Sequence, residues 1–259
     1  MNRTLAAIVL VAWTLAPTLA PAQTGVECVG RPATMQGTKS ADVLTGTEGD
    51  DVIVAKEGND RVNGLGGNDV ICGERGKDIL DGGSGDDTLN GGTQADTFVC
   101  NVGIDWVSYV ERTGPVVAEI DKDTGDDGDP TIRSGRGEGD TIKVSCENVV
   151  GGTGTDSMVG TDGPNEFKGR GGLDTFDGGG GADLAHGGGG QDFLRGEGGN
   201  DELLGAGGKD DTLLGGPGRD LLVGGGGIRD QADGEGGTDA CDAEKEESCE
   251  QNPAPGLTG

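Results

Sequence analysis

The sequence predicts an all-β chain wound as a parallel β-roll, a β-solenoid of nonapeptide units interrupted once by an acidic excursion. Three observations carry this prediction. Cut every nine residues from Gly37, the chain reads GTKSADVLT, GTEGDDVIV, AKEGNDRVN, GLGGNDVIC, GERGKDILD, GGSGDDTLN, GGTQADTFV and CNVGIDWVS, without a gap to Ser108. The sixth place holds Asp42, Asp51, Asp60, Asp69, Asp78, Asp87, Asp96 and Asp105. The eighth holds Leu44, Ile53, Val62, Ile71, Leu80, Leu89, Phe98 and Val107. With 57 glycines and a net charge of −28, composition alone would read as flexible, disordered polyanion. A fixed register of aspartate and apolar residues does not come from compositional bias, and fixed periods are the mark of solenoids.

Each place has a physical task. Glycines at the first, second and fourth places permit positive φ and close backbone approach, so six residues turn a corner. Places seven to nine, as in Thr88-Leu89-Asn90, suit a very short strand whose middle side chain points inward and whose neighbours point outward. One unit turns a corner and crosses one sheet, and two units complete a coil. Stacked coils give parallel strands about 4.8 Å apart, a thin column of eighth-place side chains, and two edges of stacked loops.

The rhythm returns in units beginning at Gly151, Gly160, Gly169, Gly178, Gly187 and Gly196, with Asp156, Asn165, Asp174, Asp183, Asp192 and Asp201 at the sixth place. GAGGKDDTLL (205–214) has ten residues, and its match to the DDTL of GGSGDDTLN assigns Asp211 rather than Asp210; Asp220, Asp230 and Asp239 follow. Some units depart: Ser40 and Gln94 stand where the fourth-place glycine belongs, and Asn165, beside Pro164, brings an oxygen without charge. Ala185, Ala232 and Cys241 are weak members of the apolar column. Residues 28–36, CVGRPATMQ, read as a cap that places Met35 one unit before Leu44. Between Tyr109 and Thr141 the repeat disappears into a strand at Val116–Ile120 and a solvated acidic loop. An EF-hand there is excluded, because Asp126 stands at the invariant turn glycine and Ile132 at the bidentate glutamate. CENVV (146–150) restores the phase with Val149 at the eighth place. The resulting organisation is 1–22, 23–108 with the cap and first repeat block, 109–141, 142–242 with the second block, and a polar tail at 243–259.

Rows of carboxylates on stacked loops would repel and unfold the coil unless compensated. Hard divalent cations take oxygen ligands, and Ca²⁺ accepts a flexible shell of roughly six to eight oxygens whereas Mg²⁺ keeps several waters. The ligand set therefore favours Ca²⁺, many ions per chain. GGSGDDTLN, GLGGNDVIC and GGPGRDLLV resemble the GGxGxDxUx repeat of the RTX, or hemolysin-type, calcium-binding family, a pattern given among the standard repeat signatures. The resemblance covers more than half of residues 23–259. It implies Ca²⁺ held between loops by the turn carbonyls and by Asp51, Asp60, Asp69, Asp78, Asp87, Asp174, Asp183, Asp192, Asp201, Asp211 and Asp220. Asp96, Asp105 and Asp156 join this candidate metal set by register, and Asp87 is expected to share its cation with the loop of Asp69 or of Asp105.

The remaining features bound the function. MNRTLAAIVLVAWTLAPTLAPAQ has the layout of a secretory signal peptide with cleavage after Ala22, which predicts a secreted, extracellular product with no transmembrane segment in the mature chain. Six cysteines, Cys28, Cys72, Cys100, Cys146, Cys241 and Cys249, then read as disulfides with fifteen connectivities open. Cys241–Cys249 is favoured because it would pin the end of the chain; Cys28–Cys72 and Cys100–Cys146 are the remaining pairs only by guess. The acidic surface argues against nucleic acid, which needs a basic one. No enzyme is expected: GxSxG is missing, HExxH is impossible with one histidine, His186, and Asp174 stands where GRGGLD would need a glycine to cradle a dinucleotide. Two functions remain, a secreted calcium-binding protein that folds as it binds, and a calcium-stiffened adhesive or structural surface protein that uses 109–141 to bind an unidentified partner.

Overall fold

The computed structural model describes residues 26–121, 139–227, 229–243, 245–247 and 249, so the expected signal peptide lies outside the described residues. Among the described residues every regular element is a strand, and there is no helix long and apolar enough to cross a membrane. Two parallel sheets, of 14 and 11 strands, face each other across one core. Successive units alternate between the sheets, so each strand pairs with the strand two units away. Thr88–Asn90 lies beside Val70–Cys72 with Leu89 opposite Ile71, and Arg61–Asn63 lies beside Ile79–Ser84 with Val62 opposite Leu80.

The eighth-place residues form the core. Ile53, Val62, Ile71, Leu80, Leu89, Phe98 and Val107 are fully buried, and Phe167, Phe176, Leu194, Leu203, Leu213 and Leu222 continue the column. Burying one such side chain is worth about 1.5–3 kcal/mol. Ala185, Ala232 and Cys241 keep the register and are buried as well. Each strand contributes a single inward side chain, so the core is thin and the stacked loops make up much of each coil.

The N-terminal segment does two different things. Met35 continues the column, pairing with Ile53. The antiparallel hairpin of Glu27–Cys28 and Arg31–Pro32 instead lies on the flank, where Cys28 packs with Val52, Val54, Val70 and Cys72. Those are seventh- and ninth-place side chains, which point outward; three apolar residues there require a cover. All three disulfides form as the pairs Cys28–Cys72, Cys100–Cys146 and Cys241–Cys249. The first pins the hairpin to the flank.

The ends of the excursion belong to the roll. Val116, just before the strand Val117–Asp121, and Ala118 and Ile120 within it alternate and are buried, so this strand enters the larger sheet. It is laid down two places beyond Thr97–Val102, and Thr141–Lys143 later fills the place between them. Ile142 thus lies between Phe98 and Ile120, while Ala118 lies beside Met158. In the other sheet Trp106–Ser108 pairs directly with Asn148–Val150. Both sheets therefore run through both repeat blocks. The acidic loop at 122–138 lies outside the described residues. The ten-residue units carry their extra residue as a left-handed bulge at Asp210 and Arg229, and the Arg229 guanidinium pairs with the Asp210 carboxylate at 2.7 Å. Beyond Cys241, Lys245–Glu247 adds a last strand beside Gln231–Gly237.

Candidate metal centre

The loop of GGSGDDTLN shows the repeating arrangement. Asp87 Oδ1 accepts the amide of Asp69, two units back, at 2.8 Å, and the Asp87 amide donates to Asp105 Oδ1 at 2.7 Å. Thr88 continues the ladder by donating its amide to the Asp69 carbonyl at 2.8 Å. The side chain is fully buried, and its second oxygen, Oδ2, has no hydrogen-bond partner. That oxygen folds over Gly82, where a Cβ would collide with it; at Gly85 a φ of +121° and the carbonyl of Gly67 in the loop below exclude a side chain. Burial, with the charges of Asp105, Asp69 and Asp86 added, pushes the Asp87 carboxyl up to about 7. A buried carboxylate oxygen without a donor costs free energy unless a cation or a proton meets it.

The same arrangement runs along both edges. Oδ2 is buried without a partner in Asp60, Asp69, Asp78, Asp87, Asp105, Asp174, Asp183, Asp192, Asp201, Asp211, Asp220 and Asp239. Asp96 and Asp230 keep the same register, accepting the amides of Asp78 and Asp211 at 2.8 and 3.0 Å. Burial pushes Asp174 and Asp183 up to about 7, and Asp69, Asp78, Asp105, Asp192 and Asp220 up to about 6. Asp60, Asp201 and Asp211 are raised for the same reason. Asp211 is the buried member of its pair, while Asp210 faces outward with Arg229.

Asp51 and Asp156 are built differently. Asp51 Oδ2 accepts the amide and hydroxyl of Thr47 at 2.7 and 2.9 Å, and Oδ1 accepts the Thr34 hydroxyl at 3.1 Å. Burial would raise its pKa, but these bonds outweigh it and leave the carboxyl below the usual range. Asp156 Oδ2 accepts the Gly152 amide at 2.8 Å. Asp42 and Asn165 are closed in the same way by Thr38 and Thr161, at 2.6 and 2.7 Å. These four residues follow the first loop of each edge in each block. A sixth-place carboxylate reaches toward the preceding loop of its own edge, and a first loop has no preceding repeat loop to share with. Its own second-place amide turns in to satisfy it. In the open loops the second residue instead takes positive φ, as Lys56 (83°), Leu65 (78°), Glu74 (76°) and Arg170 (76°) do. Gln94, the misfit at a fourth place, still adopts a φ of 82°.

Two sixth-place groups emerge only in the structure. Asp140 Oδ1 accepts the Asp96 amide at 2.8 Å, and Glu147 Oε2 accepts the Asp105 amide at 3.0 Å. The signal for the first is GRGEGDTIK (135–143), which has glycine, Asp140 and Ile142 at places one, six and eight inside a stretch that otherwise reads as loop. Glu147 follows a shortened corner that no nine-residue cut would find. The hydroxyl of Ser108 is also buried without a partner.

Among the described residues no three aspartate, glutamate, histidine or cysteine side chains converge. A cation in these gaps would be held by one or two carboxylates with the remaining oxygens from loop carbonyls, a donor set that suits calcium and does not suit zinc. No curated protein matches the chain. The family model of the RTX calcium-binding nonapeptide repeat matches in overlapping sets of four copies at 36–71, 45–80, 63–98, 73–107, 150–185, 177–211 and 206–240. These matches cover more than half of the 259 residues and take in both the open loops and the closed first loops of each block. The chain belongs to the family of RTX calcium-binding nonapeptide repeats, which bind calcium ions on a β-roll.

Proposed function

We propose that this chain is an exported calcium-binding protein whose two repeat blocks fold as their interloop gaps fill with Ca²⁺. The observation that carries the reading is the series of buried Oδ2 atoms without a donor. Without a cation these gaps hold like charges two units apart, and with one the same oxygens become ligands. Asp60, Asp69, Asp78, Asp87, Asp96, Asp105, Asp174, Asp183, Asp192, Asp201, Asp211 and Asp220 would hold the ions, with Asp230 and Asp239 extending the two edges. Asp87 would share its ion with the loop of Asp69, whose amide its carboxylate meets. Asp51 and Asp156 act instead as end positions that need no ion.

In this reading the role of calcium is structural, because each ion would join two stacked loops of the roll. Each ion bound only by the folded chain adds RT ln(1 + [L]/Kd), about 1.4 kcal/mol at tenfold excess. About ten such ions would match the net stability of a whole domain. RTX repeat proteins are typically extracellular, and extracellular calcium modules bind at about 10⁻⁴–10⁻³ M; both fit a chain that stays unfolded until it leaves the cell. For the alternative, an adhesive spacer using 109–141, the described part of that segment divides: Val116, Ala118 and Ile120 are buried in the roll, while Glu111 and Thr113 are exposed. A calcium titration followed by far-ultraviolet circular dichroism, with bound ions counted by flow dialysis, tests the proposal. Expected is a rise in β signal together with the binding of many ions. A chain fully folded in chelator and unchanged by calcium would refute it.

A further inference from the structure

We propose that the junction between the two repeat blocks is closed by the chain's own donors in place of cations, and that it stays folded when calcium is withdrawn. This rests on the calcium reading of the open gaps and concerns the stretch where those gaps stop. At Asp140, Oδ1 accepts the Asp96 amide as in the open repeats, but Oδ2 accepts the hydroxyl of Tyr109 at 3.1 Å. The phenol stands where Asp60 and Asp78 leave their oxygen open. One place further along the same edge Val116 replaces the carboxylate, and its amide donates to Asp156 Oδ1 at 2.9 Å. On the opposite edge Asn165 replaces aspartate and donates its Nδ2 to the Glu147 carbonyl at 2.7 Å. Two guanidinium groups complete the exchange: Arg112 donates to the carbonyl of Gly92, and Arg170 to that of Val110 at 2.7 Å.

Ring–ring contacts also gather at and beside the junction. Tyr109 meets Phe98 edge to face at 6.3 Å between ring centroids, and Phe167 stacks on Phe176 at 5.7 Å. Elsewhere the column is mostly Leu, Ile and Val. The strand Val117–Asp121 adds a rung that one sheet has and the other lacks. Cys100–Cys146 then ties the first block to the second across 46 residues. Cross-linking distant residues lowers the entropy of the unfolded chain. More apolar burial, satisfied polar groups and a cross-link favour local order where no ion is needed, and both blocks can wind outward from it.

The test is hydrogen exchange by mass spectrometry on the oxidised full chain at neutral pH, in chelator and in calcium. In chelator, amides in 106–121 and 140–150 should exchange about a hundredfold slower than unstructured chain, while 55–90 and 178–225 exchange freely. Calcium should protect the repeats and change the junction little. Tyr109→Phe should speed junction exchange in chelator by about tenfold, the effect of one hydrogen bond to a carboxylate, and should leave the calcium-loaded dichroism spectrum unchanged. Junction amides as fast as the repeats in chelator, or unaffected by Tyr109→Phe, would overturn the proposal. A lack of calcium protection in the repeats would instead overturn the calcium reading, so the two failures are distinguishable.

Discussion

Replacing Asp87 with asparagine should stabilise the roll without calcium and destabilise it with calcium. Asparagine keeps an oxygen for the Asp69 amide and removes the charge from the Oδ2 position. Without metal the carboxyl is pushed from 3.8 to about 7, chiefly by burial. At about pH 5.5 the folded chain must therefore hold a proton that the unfolded chain releases, which costs up to about 2 kcal/mol. Loops that part slightly and admit water reduce this, and about 1 kcal/mol is the expected gain from Asp87→Asn in chelator. With calcium at neutral pH the sign reverses. Losing the ion between the loops of Asp69 and Asp87 removes up to about 2.7 kcal/mol at hundredfold saturation. Urea unfolding followed by circular dichroism reads both arms, in chelator at about pH 5.5 and in millimolar calcium at about pH 7.5. Destabilisation in both would show that the carboxylate is no burden in the empty gap. An unchanged midpoint in calcium would show that no ion sits there.

The wild-type chain in chelator should gain β structure as pH falls. Carboxyls raised to about 6–7 in the fold are protonated there first, so their cost is absent below about pH 4 and grows as pH rises through 6–7. Dichroism against pH checks this, and calcium should erase the dependence near neutrality. Asp51→Ala should leave the number of bound ions unchanged and lower stability by about 1 kcal/mol through lost hydrogen bonds to Thr47 and Thr34; loss of an ion in flow dialysis would contradict the end-position role. Gly82→Ala should weaken the fold by more than about 1 kcal/mol, since its Cβ meets the Asp87 carboxylate and cannot move without opening the loop. A urea midpoint equal to wild type would refute that packing.

Most of the roll was legible in the residues because each unit repeats the same local problem. Glycine turns, a single inward side chain and a carboxylate at fixed spacing leave few other ways to stack, and the register of Asp87, Leu89 and their equivalents follows from counting. The ten-residue unit was resolved by the same logic, with Asp211 inside and Asp210 out. What period alone could not separate was Asp51 from Asp69. Both occupy a sixth place, but one follows a loop with no repeat loop before it.

That distinction is tertiary, because a cation gap belongs to two loops and not to one sequence unit. Whether a carboxylate is open depends on what lies 18 residues away in the chain and one rung away in space. The same holds for Asp140, whose partners Asp96 and Tyr109 come from 44 and 31 residues away, and for the strand Val117–Asp121, which is inserted out of chain order. Local pattern decided which residues could line a gap. Only the stacking of rungs decided which carboxylates stay open between two loops and which the chain closes by itself.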